Sequence, residues 1–153
     1  MKWLAWIGLV MACERGEPVA QPQHIEMIDA PAAADVAPVI AKEIARAEQD
    51  HRRLLVYVGA SWCEPCRHFH DAAAAGKLDA EFGTLRLLVF DEDRDEPALA
   101  RAHYKHELIP LFALPNSDGT GTGKQIEGSI KGADAVAQIS PRLHALLDGV
   151  AVK

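Results

Sequence analysis

The apolar run Leu54-Leu55-Val56-Tyr57-Val58-Gly59 leads within four residues into Cys63-Glu64-Pro65-Cys66, and this junction constrains the chain more than any other stretch. A continuous apolar run of this length, bounded by turn residues, reads as a strand buried on both faces, the pattern of a central parallel strand. Glu64 to Gly76 then reads as a helix with Phe69, Ala72 and Ala73 facing inward. Two cysteines separated by two residues, directly after a buried strand and opening a helix, occupy the context of a redox pair. Unpaired N–H groups and the positive dipole end at a helix N-terminus stabilise an anion. Cys63 is therefore predicted to have a lowered thiol pKa and to act as the attacking thiolate. Cys66, one turn inward, is the resolving thiol that breaks the mixed disulfide.

Two other uses of the pair are open to a sequence of this kind. A zinc half-site usually needs four ligands, and no second Cys-x-x-Cys or Cys-x-x-His pair accompanies this one. A purely structural disulfide closing so small a loop constrains the unfolded chain little.

Around this junction the pattern alternates. Val36 to Arg52 carries Val39, Ile40, Ile44 and Ala47 at helical spacing, and Leu85 to Phe90 is a second strand of the buried type. Pro97 to Glu107 reads as a helix with Pro97 in its first turn. Leu111 to Leu114, the turn-rich Pro115 to Gly123, and Gln125 to Ile130 read as an antiparallel hairpin, and Ala133 to Leu147 as a closing helix. Strands alternating with helices imply right-handed crossovers and an α/β fold: a central mixed β-sheet with a C-terminal antiparallel hairpin, flanked by helices. At 153 residues the chain holds one domain, and 49% hydrophobic with 25% charged residues is the composition of a packed core. A formal charge of -6 with no basic stripe argues against a nucleic-acid partner.

The N-terminus reads as an address. Residues 1–12 (MKWLAWIGLVMA) place one cation, Lys2, before an apolar run about half the roughly 20 residues that span a bilayer. Cys13, preceded by Val10, Met11 and Ala12, resembles the bacterial lipobox, in which a small residue precedes the cysteine that receives lipid. That resemblance implies a signal peptide over 1–12, lipidation of Cys13 and a firm membrane anchor. Glu14 is not the aspartate that typically retains such proteins in the inner membrane, which favours the outer membrane, facing the periplasm. Residues 13–35, with Pro18, Pro22 and Pro31, read as a flexible tether whose only strand-like patch is His24 to Ile28, leaving the folded domain to 36–153.

Trp62-Cys63-Glu64-Pro65-Cys66 resembles the active site of the thioredoxin superfamily, and Ile109-Pro110 before the hairpin resembles its cis-proline loop. The element order agrees from about residue 36 to 150. Glu64-Pro65 between the cysteines and a tethered N-terminus are most similar to membrane-anchored thiol-disulfide reductases of the bacterial envelope. The resemblance implies a thioredoxin-like fold and catalysis by Cys63 and Cys66. It also implies a site shaped by Trp62, Glu64, Pro65, Ile109 and Pro110, with Pro110 in cis and Ile109 offering backbone groups to an extended substrate. The implied partners are disulfide-bearing or thiol-bearing envelope proteins and a membrane electron donor, with the protein a monomer that needs no cofactor or metal. Thioredoxin proper has an aspartate where this chain has Tyr57, and its facing lysine is replaced by Leu87, so the proton acceptor for Cys66 is unassigned. Glu64 beside Cys63 raises the thiol pKa, which favours a reductase. An envelope disulfide oxidase or isomerase, and a non-catalytic thioredoxin-like binding module, are the alternatives.

Other motifs carry less. His68 and His70 are two residues apart on a helix and point to nearly opposite faces. His103 and His106 share a helix face on this reading but lack a third ligand. Asp91 to Glu96 (DEDRDE) opens like a calcium loop yet lacks its glycine and final glutamate, and reads as a helix-capping turn at the same sheet end as Cys63. Gly119 to Lys124 (GTGTGK) is a hairpin turn, because Asp118 and Gln125 break the phosphate-loop pattern.

Overall fold

The computed structural model describes residues 23–149 of the chain. The elements follow in the order β1 (Glu26–Asp29), α1 (Ala37–Gln49), β2 (Arg53–Gly59), α2 (Glu64–Ala74), α3 (Asp79–Phe82), β3 (Leu85–Asp91), α4 (Glu92–Arg101), β4 (Leu111–Pro115), β5 (Gly121–Glu127) and α5 (Ala135–Leu147). Five strands form one mixed sheet in the order β1-β3-β2-β4-β5. β1 and β2 run parallel to β3, and β4 runs antiparallel to both β2 and β5.

The apolar run of β2 resolves into two interleaved faces, as the two-residue period of a strand requires. Leu54, Val56 and Val58 join Ile40 and Ala47 of α1, Leu88 and Phe90 of β3 and Leu99 of α4 in one layer. Leu55 and Tyr57 join Phe69 of α2, Leu87 of β3, Phe112 of β4 and Ile139 and Leu143 of α5 in the other. Because helices cover both faces, β2 is buried along nearly its whole length. Its carboxyl end therefore delivers the following residues to a fixed place above the sheet.

Four expectations are corrected. Residues 1–12 and Cys13 lie outside the described residues, but the expected tether over 13–35 does not hold for its described part. Glu26–Asp29 pairs with Arg86–Val89 as the edge strand β1, so the domain begins before residue 36. The fourth helix starts at Glu92 and ends at Arg101, so it does not span 97–107. Asp91 is its N-cap, accepting from Arg94 N–H at 3.1 Å, while Asp95 reaches back to Asp91 N–H at 3.0 Å. This reciprocal capping outweighs the backbone bond that Pro97 forgoes inside the helix. His103 and His106 accordingly lie beyond the helix and share no helical face, His103 having φ 70°. The second hairpin strand begins at Gly121 and ends at Glu127, because pairing with β4 draws part of the expected turn into the ladder.

The hairpin tip is not free. A Cβ on Gly119, which has φ +84°, would stand 1.9 Å from the Ala37 carbonyl oxygen. The Tyr104 hydroxyl also donates to the Gly119 carbonyl at 2.9 Å. Only glycine lets the tip seat against the start of α1.

Candidate active site

Chain geometry at the end of β2 builds the site. After Gly59 the backbone turns through Ala60 and Ser61, closed by Cys63 N–H donating to the Ala60 carbonyl at 3.1 Å. Cys63, in an extended conformation, becomes the N-cap of α2. Its Sγ accepts the Cys66 backbone N–H at 3.3 Å, so one of the unpaired donors of the helix start points at this sulfur. Cys63 and Cys66 form a disulfide, and each is 4% exposed. Pro65 is buried in the first turn of α2, where its missing N–H costs nothing.

Trp62, directly before this pair in the chain, is 61% exposed, with its indole N–H donating to Asp93 of α4 at 2.9 Å. The Glu64 carboxylate accepts Gly132 N–H at 3.1 Å and lies 3.7 Å from His68 Nε2, so it ties α2 to the loop after β5. The Ile109–Pro110 peptide bond is cis, and Pro110 is buried while Ile109 packs partly against the core. Val58 pairs with Leu111; one further step of the antiparallel register sets Pro110 opposite Gly59, four residues before Cys63. Trp62, Cys63, Glu64, Pro65, Cys66, Ile109 and Pro110 thus share the carboxyl end of β2. Cys13 falls outside the described residues.

A cleft of about 470 Å³ opens on the α2 side of the site, lined among others by Tyr57, Cys66, His70, Asp71, Asp29 and Arg94. Tyr57 has its hydroxyl 3.5 Å from the Cys66 carbonyl oxygen. Burial pushes the Tyr57 phenol well above its ordinary pKa, so it stays protonated and is no acceptor for a thiol proton. Leu87 lies in the same buried layer as Tyr57 and brings no charge. Among the described residues, no group of three or more His, Cys, Asp or Glu side chains is arranged to hold a metal ion.

Three contacts have no counterpart in the sequence reading. The His106 ring, its side chain 3% exposed, lies 2.8 Å from Glu92 Oε2 and 2.9 Å from the Tyr104 carbonyl. Glu127 of β5 accepts from Glu107 and Leu108 N–H at 2.7 and 3.0 Å. Asp93 anchors Trp62 across 31 positions of sequence. The only local signal was the acidic run itself, placed at the correct sheet end. The chemistry this arrangement can perform is dithiol exchange: a sulfur stabilised as an anion at a helix start, with a second sulfur within bonding distance.

No protein-family model matches the chain, and no curated protein matches it either. Among solved structures, a thioredoxin from Trypanosoma brucei brucei is 16% identical, with 86% of this chain and 98% of that one covered and a TM-score of 0.47. Thioredoxin O1 from Arabidopsis thaliana, in its oxidized state, is 15% identical over 82% and 97% of the two chains, with a TM-score of 0.45. A thioredoxin from Nicotiana alata is 14% identical over 84% and 96%, with a TM-score of 0.48. The fold itself is thioredoxin-like α/β: a mixed five-stranded sheet between helices, with the cysteine pair opening the helix after its central strand.

Proposed function

We propose that the chain is a thiol-disulfide oxidoreductase of the bacterial cell envelope, held to the membrane through lipid on Cys13 and working as a reductase of protein disulfides. The observation that carries the redox reading is the N-cap position of Cys63, whose Sγ accepts a backbone N–H and is bonded to Cys66. In the reduced form, the Cys63 thiolate attacks one sulfur of a substrate disulfide. That S–S bond breaks, the departing substrate sulfur takes up a proton, and a mixed disulfide forms on Cys63. Cys66 then loses its proton and attacks the Cys63 sulfur. The second substrate sulfur leaves as a thiol, and the Cys63–Cys66 disulfide forms. Two electrons have moved to the substrate, and a membrane donor must return them.

Three features support the finer reading. Trp62, Leu108 and Ile130 are the large hydrophobic side chains most exposed among the described residues, and all lie in loops around the site. Exposed apolar groups flanking a reactive sulfur suit an extended polypeptide, and the acidic turn at Glu92 and Asp93 favours basic or neutral segments. Glu64 beside Cys63 opposes stabilisation of the thiolate, which makes the disulfide less oxidising and favours the reducing direction. The leader and Cys13 support the envelope, and Glu14 after Cys13 favours its outer membrane.

The deciding experiment is an equilibrium titration of the full chain, in detergent, against glutathione and dithiothreitol. A potential near the roughly -270 mV of thioredoxin supports the reductase; one near the roughly -120 mV of strong periplasmic oxidants assigns it to disulfide formation. Cys66→Ser should trap substrates as mixed disulfides on Cys63, and a chain that traps none is a docking module. Radiolabelled palmitate should enter the wild-type chain and not Cys13→Ser.

A further inference from the structure

We propose that His106 and Glu92 are positioning residues of the exchange site, fastening the loop that ends in Ile109–Pro110 to the helix turn that holds Trp62. This rests on the redox reading above and adds how a polypeptide is gripped there. The loop from Ala102 to Pro110 has two sides. On the β5 side, Glu127 accepts two of its amides and Gln125 donates to the Lys105 carbonyl at 2.9 Å. On the α4 side, the contact that carries charge is His106 with Glu92, at 2.8 Å.

The pair is built for the purpose. The His106 side chain is 3% exposed, and each ring nitrogen faces an acceptor, one the Tyr104 carbonyl and the other Glu92. Close polar contacts at both ring nitrogens restrict its position and its tilt more than a contact at one end would. Glu92 opens α4, and the next residue, Asp93, accepts the Trp62 indole N–H. Adjacent carboxylates of one helical turn therefore hold two parts of the site: Glu92 the loop bearing Leu108, and Asp93 the indole. Leu108 and Trp62 are 60% and 61% exposed, so both are open to a bound segment. Lys105 and Glu107 flank His106 in the loop sequence, and the Glu127 carboxylate accepts the Glu107 and Leu108 amides.

The test separates gripping from chemistry. Reduction of insulin disulfides with dithiothreitol as electron source gives kcat and KM, and stopped-flow reduction of Cys63–Cys66 by dithiothreitol alone gives the chemistry without a polypeptide. Glu92→Ala and His106→Phe should raise KM for insulin about tenfold, the effect of losing one charge-assisted hydrogen bond. Both kcat at saturation and the rate with dithiothreitol should stay within about twofold of wild type. Glu92→Gln, which retains an oxygen to accept from the ring, should restore most of the affinity. An unchanged KM in Glu92→Ala, or a dithiothreitol rate that falls in step with it, would overturn the proposal. If His106→Phe does not fold, the two Glu92 variants decide it alone. Wild-type protein that turns over no polypeptide disulfide would remove the redox reading and this proposal with it. Turnover with unchanged KM in the variants removes only the proposal.

Discussion

The two ends of the central strands are held by opposite means. At the amino end Arg86 of β3 is nearly buried, with its guanidinium on Glu26 of β1 at 2.6 Å, Glu43 of α1 at 3.3 Å and Asp50 at 2.6 Å. Burial works against the charge, but the hydrogen bonds it donates to Glu26 and Asp50 outweigh it and hold the guanidinium firmly ionised. Arg52 adds bonds to the His24 and Gly83 carbonyls. At the carboxyl end the corresponding place is taken by Cys63 and Cys66, where the Cys63 sulfur accepts a backbone N–H. An end saturated with ion pairs is chemically inert; an end that stabilises an anion only partly can give it up again. The amino end thus fixes a nearly buried cation among three carboxylates, whereas the reacting sulfur is met by a backbone N–H alone in its helix-start position.

Substitutions can break this contrast, and the largest effect lies at the reactive end. Cys63→Ser should abolish turnover of polypeptide disulfides completely, measured by insulin reduction, while leaving the arginine network intact. Arg86→Ala comes next: it takes one of two cations from the Glu43 carboxylate, whose side chain is 8% exposed and which keeps Arg46 at 3.2 Å, and should destabilise the chain by about 2 kcal/mol in urea titrations. The Cys63–Cys66 potential of that variant should not move; if it does, the ends are coupled and the contrast fails. A third measurement touches neither set of charges. Burial, first among the causes, raises the pKa of both tyrosines, Tyr57 and Tyr104. The folded chain holds these phenol protons more tightly than the unfolded one. Stability should be intact below pH about 10 and fall as pH rises above it. Absorbance of phenolate should therefore appear together with unfolding and not before it. The smallest change is Tyr57→Phe, which removes a long hydrogen bond at 3.5 Å and should cost less than about 1 kcal/mol.

The contrast also marks what the amino-acid sequence discloses. β2, β3 and α2 are legible because each carries its own pattern, a continuous apolar run or a cysteine pair at a helix start, and the structure places them within one or two residues of expectation. β1 is less so. Three of its four residues are half-buried and Asp29 is exposed, and what makes them a strand is pairing with Arg86–Val89, some 60 positions away. α4 was misplaced because Pro97 gave the stronger local signal, whereas the Asp91 and Asp95 side chains set the true start. Gly121 to Lys124 looks like turn and becomes strand because β4 offers a ladder. In the site, Cys63 and Cys66 could be read directly. The partnership of His106 with Glu92 could not, since it depends on where a loop returns after the helix has ended.

The seat of Gly119 against Ala37 bears on how the molecule can be labelled or extended. Hairpin tips are ordinarily the places where a chain accepts a foreign peptide. Here the tip is packed under a helix start with no room for one added carbon, so an epitope or fluorophore grafted between Asn116 and Thr120 would pry β4 and β5 away from α1. Gly149, just beyond α5, is the better graft point, because a Cβ there meets nothing within 4 Å.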